Sequence, residues 1–271
     1  CPAADPGRRP GACNPTIDDK IQAMTDRILL AQTLDTLLQP EKFKDYGPNG
    51  LQVEGKEPVS LLVSGVTASL ALIDAAIEAQ ADAILVHHGL FWRGQDGRVT
   101  GWMKQRLQRL LAHDINLFAY HLPLDAHPTL GNNARLGAQL GWEVDAHFGD
   151  QDLGCLAHVQ YAGSAELCAQ VGRVLGREPI CVAGHTGPVT RVGWCTGGAQ
   201  GYFESAAAAG AQVFVTGEIS EPQAHLAKEM GVGFVAAGHH ATERYGAPAV
   251  AAHVAQQLGI RHRFIEVENP A

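Results

Sequence analysis

Three short segments of the chain bring histidine and carboxylate together. VHHG holds His87 and His88, HLPLDAHP holds His121, Asp125 and His127, and GHHATER holds His239, His240 and Glu243. Imidazole with carboxylate, and no thiolate in any of the three, suits Zn, Fe, Mn, Ni or Co rather than a Cys-built structural zinc site. A carboxylate oxygen also offsets the repulsion between two cations, so such a set can serve a pair of ions. Each segment has a plainer reading as well. The paired histidines could be hydrogen-bonded structural residues, and Asp125 could be a turn or helix-cap aspartate before a Pro-containing loop. Thr242 and Glu243 could serve a helix N-terminus. The joint pattern favours metal, because every segment follows an apolar run that reads as a buried strand.

Those runs define the elements that must position the three segments. SLLVSGVTAS reads as a strand over Ser60 to Val66, DAILV as a short buried strand over Asp82 to Val86, and INLFAYH as a third over Ile115 to His121. ALIDAAIEAQ from Ala71 and the stretch from Trp102 to His113 have helical spacing. Strand and helix alternate, which gives an α/β layer structure with a largely parallel sheet. Ligands in such sheets gather at the carboxyl ends of strands. Gly89 supplies backbone freedom for His87 and His88 to converge at the strand end. His239 and Glu243, four apart, fall on one face of a helix. His240 then points elsewhere.

The chain also repeats itself. Residues 63–89 align without gaps on 193–219, each copy reading strand, Gly/Thr/Ser turn, Ala-rich helix, strand, polar pair. The first copy ends in His87-His88, the second in Gly217-Glu218. This predicts two related α/β lobes, the second inserted into the first, with the metal site at the strand ends of the first. The expected boundaries are residues 24–128 plus 233–271 for the metal-binding lobe and 129–232 for the inserted lobe. Within the insert, LGCLAHVQYAG reads as strand and SAELCAQVGRVLG as helix. GFVAAG, the stretch from Pro248 to Leu258, and HRFIEVENP close the chain as strand, helix and strand. Residues 1–23, rich in Pro, Gly and Arg, lack an apolar signal core and read as a non-native or disordered leader ahead of the amphipathic MTDRILLAQTLDTLLQ.

Composition narrows the classes further. Of 271 residues, 46% are hydrophobic and 18% charged, enough apolar material for one large or two smaller domains. A net charge of -8 provides no global basic surface for nucleic acid or an acidic membrane. Arg93, Lys104, Arg106 and Arg109 form a modest basic segment that reads as a solvated helix face. No apolar run approaches the ~20 residues that span a bilayer. The six cysteines show no CxxC spacing and read as free, buried thiols of a cytoplasmic protein.

DYGPNGLQVEG, VSGVTAS, VHHGLFW, HLPLDAHPTLGNN and GHHATER together resemble the GTP cyclohydrolase I type 2 homologs, also called Nif-three-like or dinuclear-metal-centre hexameric proteins. The resemblance runs from Met24 to Ala271. It implies a ring-shaped homohexamer and two divalent ions per chain held by His87, His88, Asp125, His239 and Glu243, with Glu243 bridging. His121 and Glu218 are implied as neighbours of the metals. Two ions about 3.5–4 Å apart can lower the pKa of water and clamp both ends of a displacement. His121 is then the candidate general acid or base, or equally a residue that orients a ligand. The expected function is a metal-dependent hydrolase of a small or nucleotide-like substrate. GTP follows from the family name alone, since the chain has no Walker GxxxxGK[ST] loop and no Rossmann fingerprint. The alternative is a non-catalytic metal store, chaperone or regulatory partner.

Overall fold

The computed structural model describes residues 24–271, so the expected leader of residues 1–23, with Cys1 and Cys13, lies outside the described residues. The strands are β1 (Gly50–Val53), β2 (Leu61–Thr67), β3 (Ala83–His88), β4 (Asn116–Ala119), β5 (Ala146–Phe148), β6 (Gly154–Tyr161), β7 (Ile180–Val182), β8 (Val189–Trp194), β9 (Val213–Thr216), β10 (Gly233–Ala236) and β11 (Arg261–Phe264). They build two sheets, ordered β1-β4-β3-β2-β11 and β5-β6-β8-β9-β10-β7. In the first, β4, β3, β2 and β11 are parallel and only β1 is antiparallel. In the second, β8, β9 and β10 are parallel, flanked by antiparallel strands.

Parallel strands joined by helical crossovers are covered on both faces, which is why β2 and β3 are almost continuously apolar. Leu62, Leu85 and Phe118 pack beneath helices Arg27–Leu38 and Gly246–Leu258. Val63, Ile84 and Leu117 face the opposite way, onto helices Leu70–Glu78 and Gly101–Ala112. The second sheet repeats the arrangement. Val192, Val213 and Val235 lie under helices Asn132–Leu140 and Ser164–Leu175, while Phe214 and Phe234 meet Phe203 on the other face.

The internal repeat is visible in the backbone. β2 pairs with β3 as Leu62↔Ala83, and β8 pairs with β9 as Val192↔Val213, which are equivalent positions of the two copies. Even the hydrogen bonds that start the strands correspond. Asp82 Oδ2 accepts from the Ser60 and Leu61 amides, and Gln212 Oε1 accepts from the Thr190 and Arg191 amides. Carboxylate and amide oxygen do the same work at the same place, which chance similarity between Ala-rich helices would not produce.

Two expectations need correction. The sequence boundaries group β10 with the metal-binding lobe, but it pairs with β9 and β7 in the second sheet. The apolar run GFVA carries no mark of which sheet it joins; only β11 returns to the first. The cysteines are not all free. Cys168 and Cys181 are paired as a disulfide, with Cα atoms 6.4 Å apart. One lies on a helix and the other on an edge strand, so no CxxC spacing signals the pair. Cys155 and Cys195 are free and buried.

Candidate metal centre

The site lies where the carboxyl ends of strands from both sheets meet. β3 supplies His87 and His88, the turn and short helix after β4 supply His121 and Asp125, and the helix His239–Glu243 after β10 supplies His239 and Glu243. Both histidines of β3 are still within the strand, which contradicts a turn at Gly89. Gly89 serves a different end: a Cβ there would overlap the Gln52 side chain, whose Oε1 accepts from the Leu90 amide. Neighbouring strand positions face opposite ways, yet the His87 and His88 rings stand 4.5 Å apart, because both reach the open end of the sheet.

Glu243 stands at the centre and is 2% exposed. Its Oε1 lies 3.4 Å from His87 Nε2, and its Oε2 lies 3.3 Å from His88 Nε2 and 3.1 Å from His239 Nε2. His87 Nε2 is also 3.5 Å from Asp125 Oδ1. These contacts sort into two groups able to hold a metal ion, His87–Asp125–Glu243 and His88–His239–Glu243, each with ligand atoms within 4.8 Å of one another. A third grouping, His87–His88–His121, meets the same distance.

The imidazoles are aimed from behind. His87 Nδ1 donates to the Tyr120 carbonyl at 3.1 Å, and His239 Nδ1 to Glu218 Oε1 at 2.6 Å. A carbonyl or a carboxylate can only accept, so Nδ1 carries a proton, and Nε2, once it gives up its own, turns a lone pair to the cluster. His88 Nδ1 bonds Thr67 Oγ1. His87 Nε2 and Glu243 Oε2 are buried and have no hydrogen-bond partner. Buried polar atoms are rarely left so, and their chemistry fits a divalent cation between them.

Asp125, nearly buried, is fixed by Asn132 Nδ2 at 2.9 Å and Thr196 Oγ1 at 3.3 Å, both on Oδ1. His121 stands beside the cluster, its Nδ1 donating to Asp45 Oδ1 at 2.7 Å, and its amide is held by Asn49 Oδ1. His240 turns away to Glu266, and His127 Nδ1 accepts from the Thr129 and Leu130 amides, a local cap.

Charge in the site is unevenly shared. Burial opposes a proton on His87, but the Asp125 and Glu243 carboxylates outweigh it and raise its pKa to about 9. Burial likewise opposes charge on His239, which Glu243 and Glu218 raise to about 9. His88 goes the other way, to about 3, through burial and the neighbouring charge on His87. Burial pushes Asp125 up, and Glu243 is held well below the usual carboxylate range, its burial outweighed by His87 and His239. At Asp45 burial is outweighed by the His121 and Asn49 hydrogen bonds, which hold the carboxyl at about 2.

A pH dependence follows. In the metal-free protein His87 and His239 are protonated at neutral pH, and a cation at either Nε2 must expel that proton. Apparent metal affinity should therefore rise with pH, by about tenfold per unit for each proton displaced, and level off above about 9. His88, already neutral, adds nothing to the slope. Proton release measured in weakly buffered titrations checks this; affinity independent of pH between 6 and 9, given as orders of magnitude of proton competition, is the contrary result.

Sequence reasoning passed over several residues that shape the site. Asp45 and Asn49 fall in DYGPNGLQVEG, which enters the sequence reading only as part of the family resemblance. Thr196, Gly197 and Gly198, which follow β8, were read as the small-residue turn of the repeat. Gly197 sits at φ +68, its amide donates to Thr242 Oγ1 at 3.0 Å, and a Cβ would overlap the Glu243 carboxylate. Gly197→Ala should displace Glu243 and cost about tenfold or more in metal affinity while leaving the fold intact by circular dichroism. The signal available was positional: this turn aligns on the turn that precedes His87 and His88 in the first copy.

A cleft of about 400 Å³ opens onto Asp125, His239 and Glu243. No described helix is long and apolar enough to cross a membrane. Three of the four basic residues near the first cluster are engaged locally: Arg109 with Asp74, Arg93 with the Asp45 carbonyl, and Arg106 over Trp102.

Comparison with known proteins covers nearly all of the described chain. A GTP cyclohydrolase 1 type 2 homolog of Neisseria meningitidis is 50% identical over 237 residues, 86% of this chain and 94% of that protein. Its counterpart in Pseudomonas aeruginosa is 49% identical over 249 residues, 89% and 97% of the two chains. Among solved structures, protein ybgI, a protein of unknown function, superposes with a TM-score of 0.88 at 44% identity, covering 91% of this chain and 100% of its own. The profile of the Duf34/NIF3 (NGG1p interacting factor 3) family matches residues 26–270. The chain belongs to the Duf34/NIF3 family.

Proposed function

We propose that the chain binds two divalent metal ions and is a metal-dependent hydrolase of a small or nucleotide-like substrate. One observation carries the reading: the two oxygens of Glu243 face different ligand groups, and its Oε2 and His87 Nε2 are buried without a hydrogen-bond partner. His87, Asp125 and Glu243 would hold one ion, and His88, His239 and Glu243 the other, drawn from Zn, Fe, Mn, Ni and Co. When bound, such a pair supplies Lewis acidity and lowers the pKa of water. The residues around it divide the remaining work. Tyr120, Thr67 and Glu218 aim the imidazoles, while Asn132 and Thr196 fix Asp125. His121, with Nδ1–H committed to Asp45, presents Nε2 as the group that takes or returns a proton.

The cleft favours catalysis over storage, since a storing site is closed around its cargo whereas this one adjoins room for an organic molecule. The names of the bacterial relatives bring GTP into consideration; nothing in the ligand set selects guanine. The reading includes a cytoplasmic, ring-shaped homohexamer. Val99, Trp102 and Leu111, all exposed, are apolar surface that a neighbouring copy would cover.

The test is a screen of metal-loaded protein against GTP, phosphodiesters and dinucleotides. Turnover that His87→Ala abolishes is expected. A protein that holds its metals yet is inert across the panel would instead be a metal store or regulatory partner.

A further inference from the structure

The cleft beside the metal ligands is lined by two unlike sets of side chains. Asp125, His239 and Glu243 are the metal-binding set, and Tyr46, Tyr202, Leu122, Leu153 and Cys195 supply an aromatic and apolar wall. Among the described residues, no Lys or Arg lines it. Both tyrosines are held from outside. The Tyr202 hydroxyl donates to the Asp150 carbonyl at 3.3 Å. The Tyr46 ring meets His121 edge-on, centroids 5.9 Å apart and planes at 69°. Tyr46 is also tied through its backbone, its amide donating to Asp45 Oδ1 and its carbonyl accepting from the Arg93 amide. Yet Tyr46 is 60% exposed, a large aromatic that the fold holds at the mouth of a cleft without burying it.

This wall discriminates between ligand chemistries. Phosphate-rich ligands are recognised by guanidinium and ammonium groups or by metal ions, and the Tyr46–Tyr202 wall offers no Lys or Arg among the described residues. A flat neutral ring, in contrast, gains stacking on tyrosine and apolar burial against Leu122 and Leu153. Gly198 and Gly201 also line the cleft, so a planar group can approach the backbone there closely.

We infer that the cleft wall carrying Tyr46 and Tyr202 binds an uncharged planar ring, aromatic or heteroaromatic, and that this ring is the part of the substrate by which the site selects it. Phosphate, where a ligand carries it, is not recognised by this wall. The inference rests on the hydrolase reading for its use of the word substrate, but the ring subsite is testable apart from it.

The test titrates guanosine, GTP and inorganic triphosphate into the full chain by calorimetry, in metal-loaded and chelated samples whose metal content is measured. Guanosine should bind the chelated protein within about tenfold of GTP, since only bound metal ions would favour the triphosphate. Tyr46→Leu and Tyr202→Leu should each weaken guanosine about tenfold, leaving metal content and the response to inorganic triphosphate unchanged, while Tyr202→Phe, which keeps the ring, retains guanosine affinity. Guanosine that fails to bind, or binds equally well in the Leu variants while Tyr202→Phe is folded and metal-loaded, overturns the ring subsite. A sample that takes up no metal but still loses guanosine on Tyr202→Leu overturns the metal reading and leaves the ring subsite standing.

Discussion

Glu243→Gln is expected to lower divalent-metal affinity at both ligand groups by more than about 100-fold, so that the dialysed protein carries almost no metal. The substitution is nearly isosteric and removes only the charge and one oxygen acceptor. It strikes both groups because Oε1 serves His87 and Asp125 while Oε2 serves His88 and His239. His87→Ala touches a single group and should leave one ion per chain. Elemental analysis after dialysis, with circular dichroism to verify folding, separates the two variants. Equal losses in both, or full retention in Glu243→Gln, would mean that Glu243 does not join the groups.

The second large effect is on stability. A ligand at 100 times its Kd stabilises the folded chain by about 2.7 kcal/mol, so two ions add about 5 kcal/mol, or roughly 10–20 °C in Tm for a chain of this size. Removing metal with a chelator should cost that much. The gain should grow with pH. His87 and His239 have folded pKa values raised to about 9, so in the metal-free protein their protonated forms contribute stability that is full below the unfolded value near 6.5. That contribution is lost as pH rises through about 9, just where metal no longer competes with protons. Differential scanning calorimetry with and without metal at pH 6 and pH 8.5 would show the gap widening; a gap that narrows would contradict the proton competition, whose scale is about tenfold in affinity per pH unit.

Much of this architecture could be read in the residues. β2, β3 and β4 announced themselves as apolar runs, the repeat foretold that β8 and β9 copy β2 and β3, and the three His-bearing segments meet at one place. What escaped was non-periodic. Asp45 and Asn49 act through single hydrogen bonds to His121, which no spacing rule marks. β10 is a four-residue apolar strand whose sheet is decided by its neighbours, not by its own sequence. The Cys168–Cys181 pair depends on a helix packing against an edge strand. His87 and His88 converge without leaving their strand, because the site lies beyond the sheet's end and not on either face.

The most direct measurement is a crystal structure of metal-loaded protein with anomalous scattering recorded at the metal's absorption edge. Two peaks about 3.5–4 Å apart are expected. One should be coordinated by His87 Nε2, Asp125 and Glu243 Oε1, the other by His88 Nε2, His239 Nε2 and Glu243 Oε2. A single peak, or peaks that Glu243 does not touch, would contradict the paired centre.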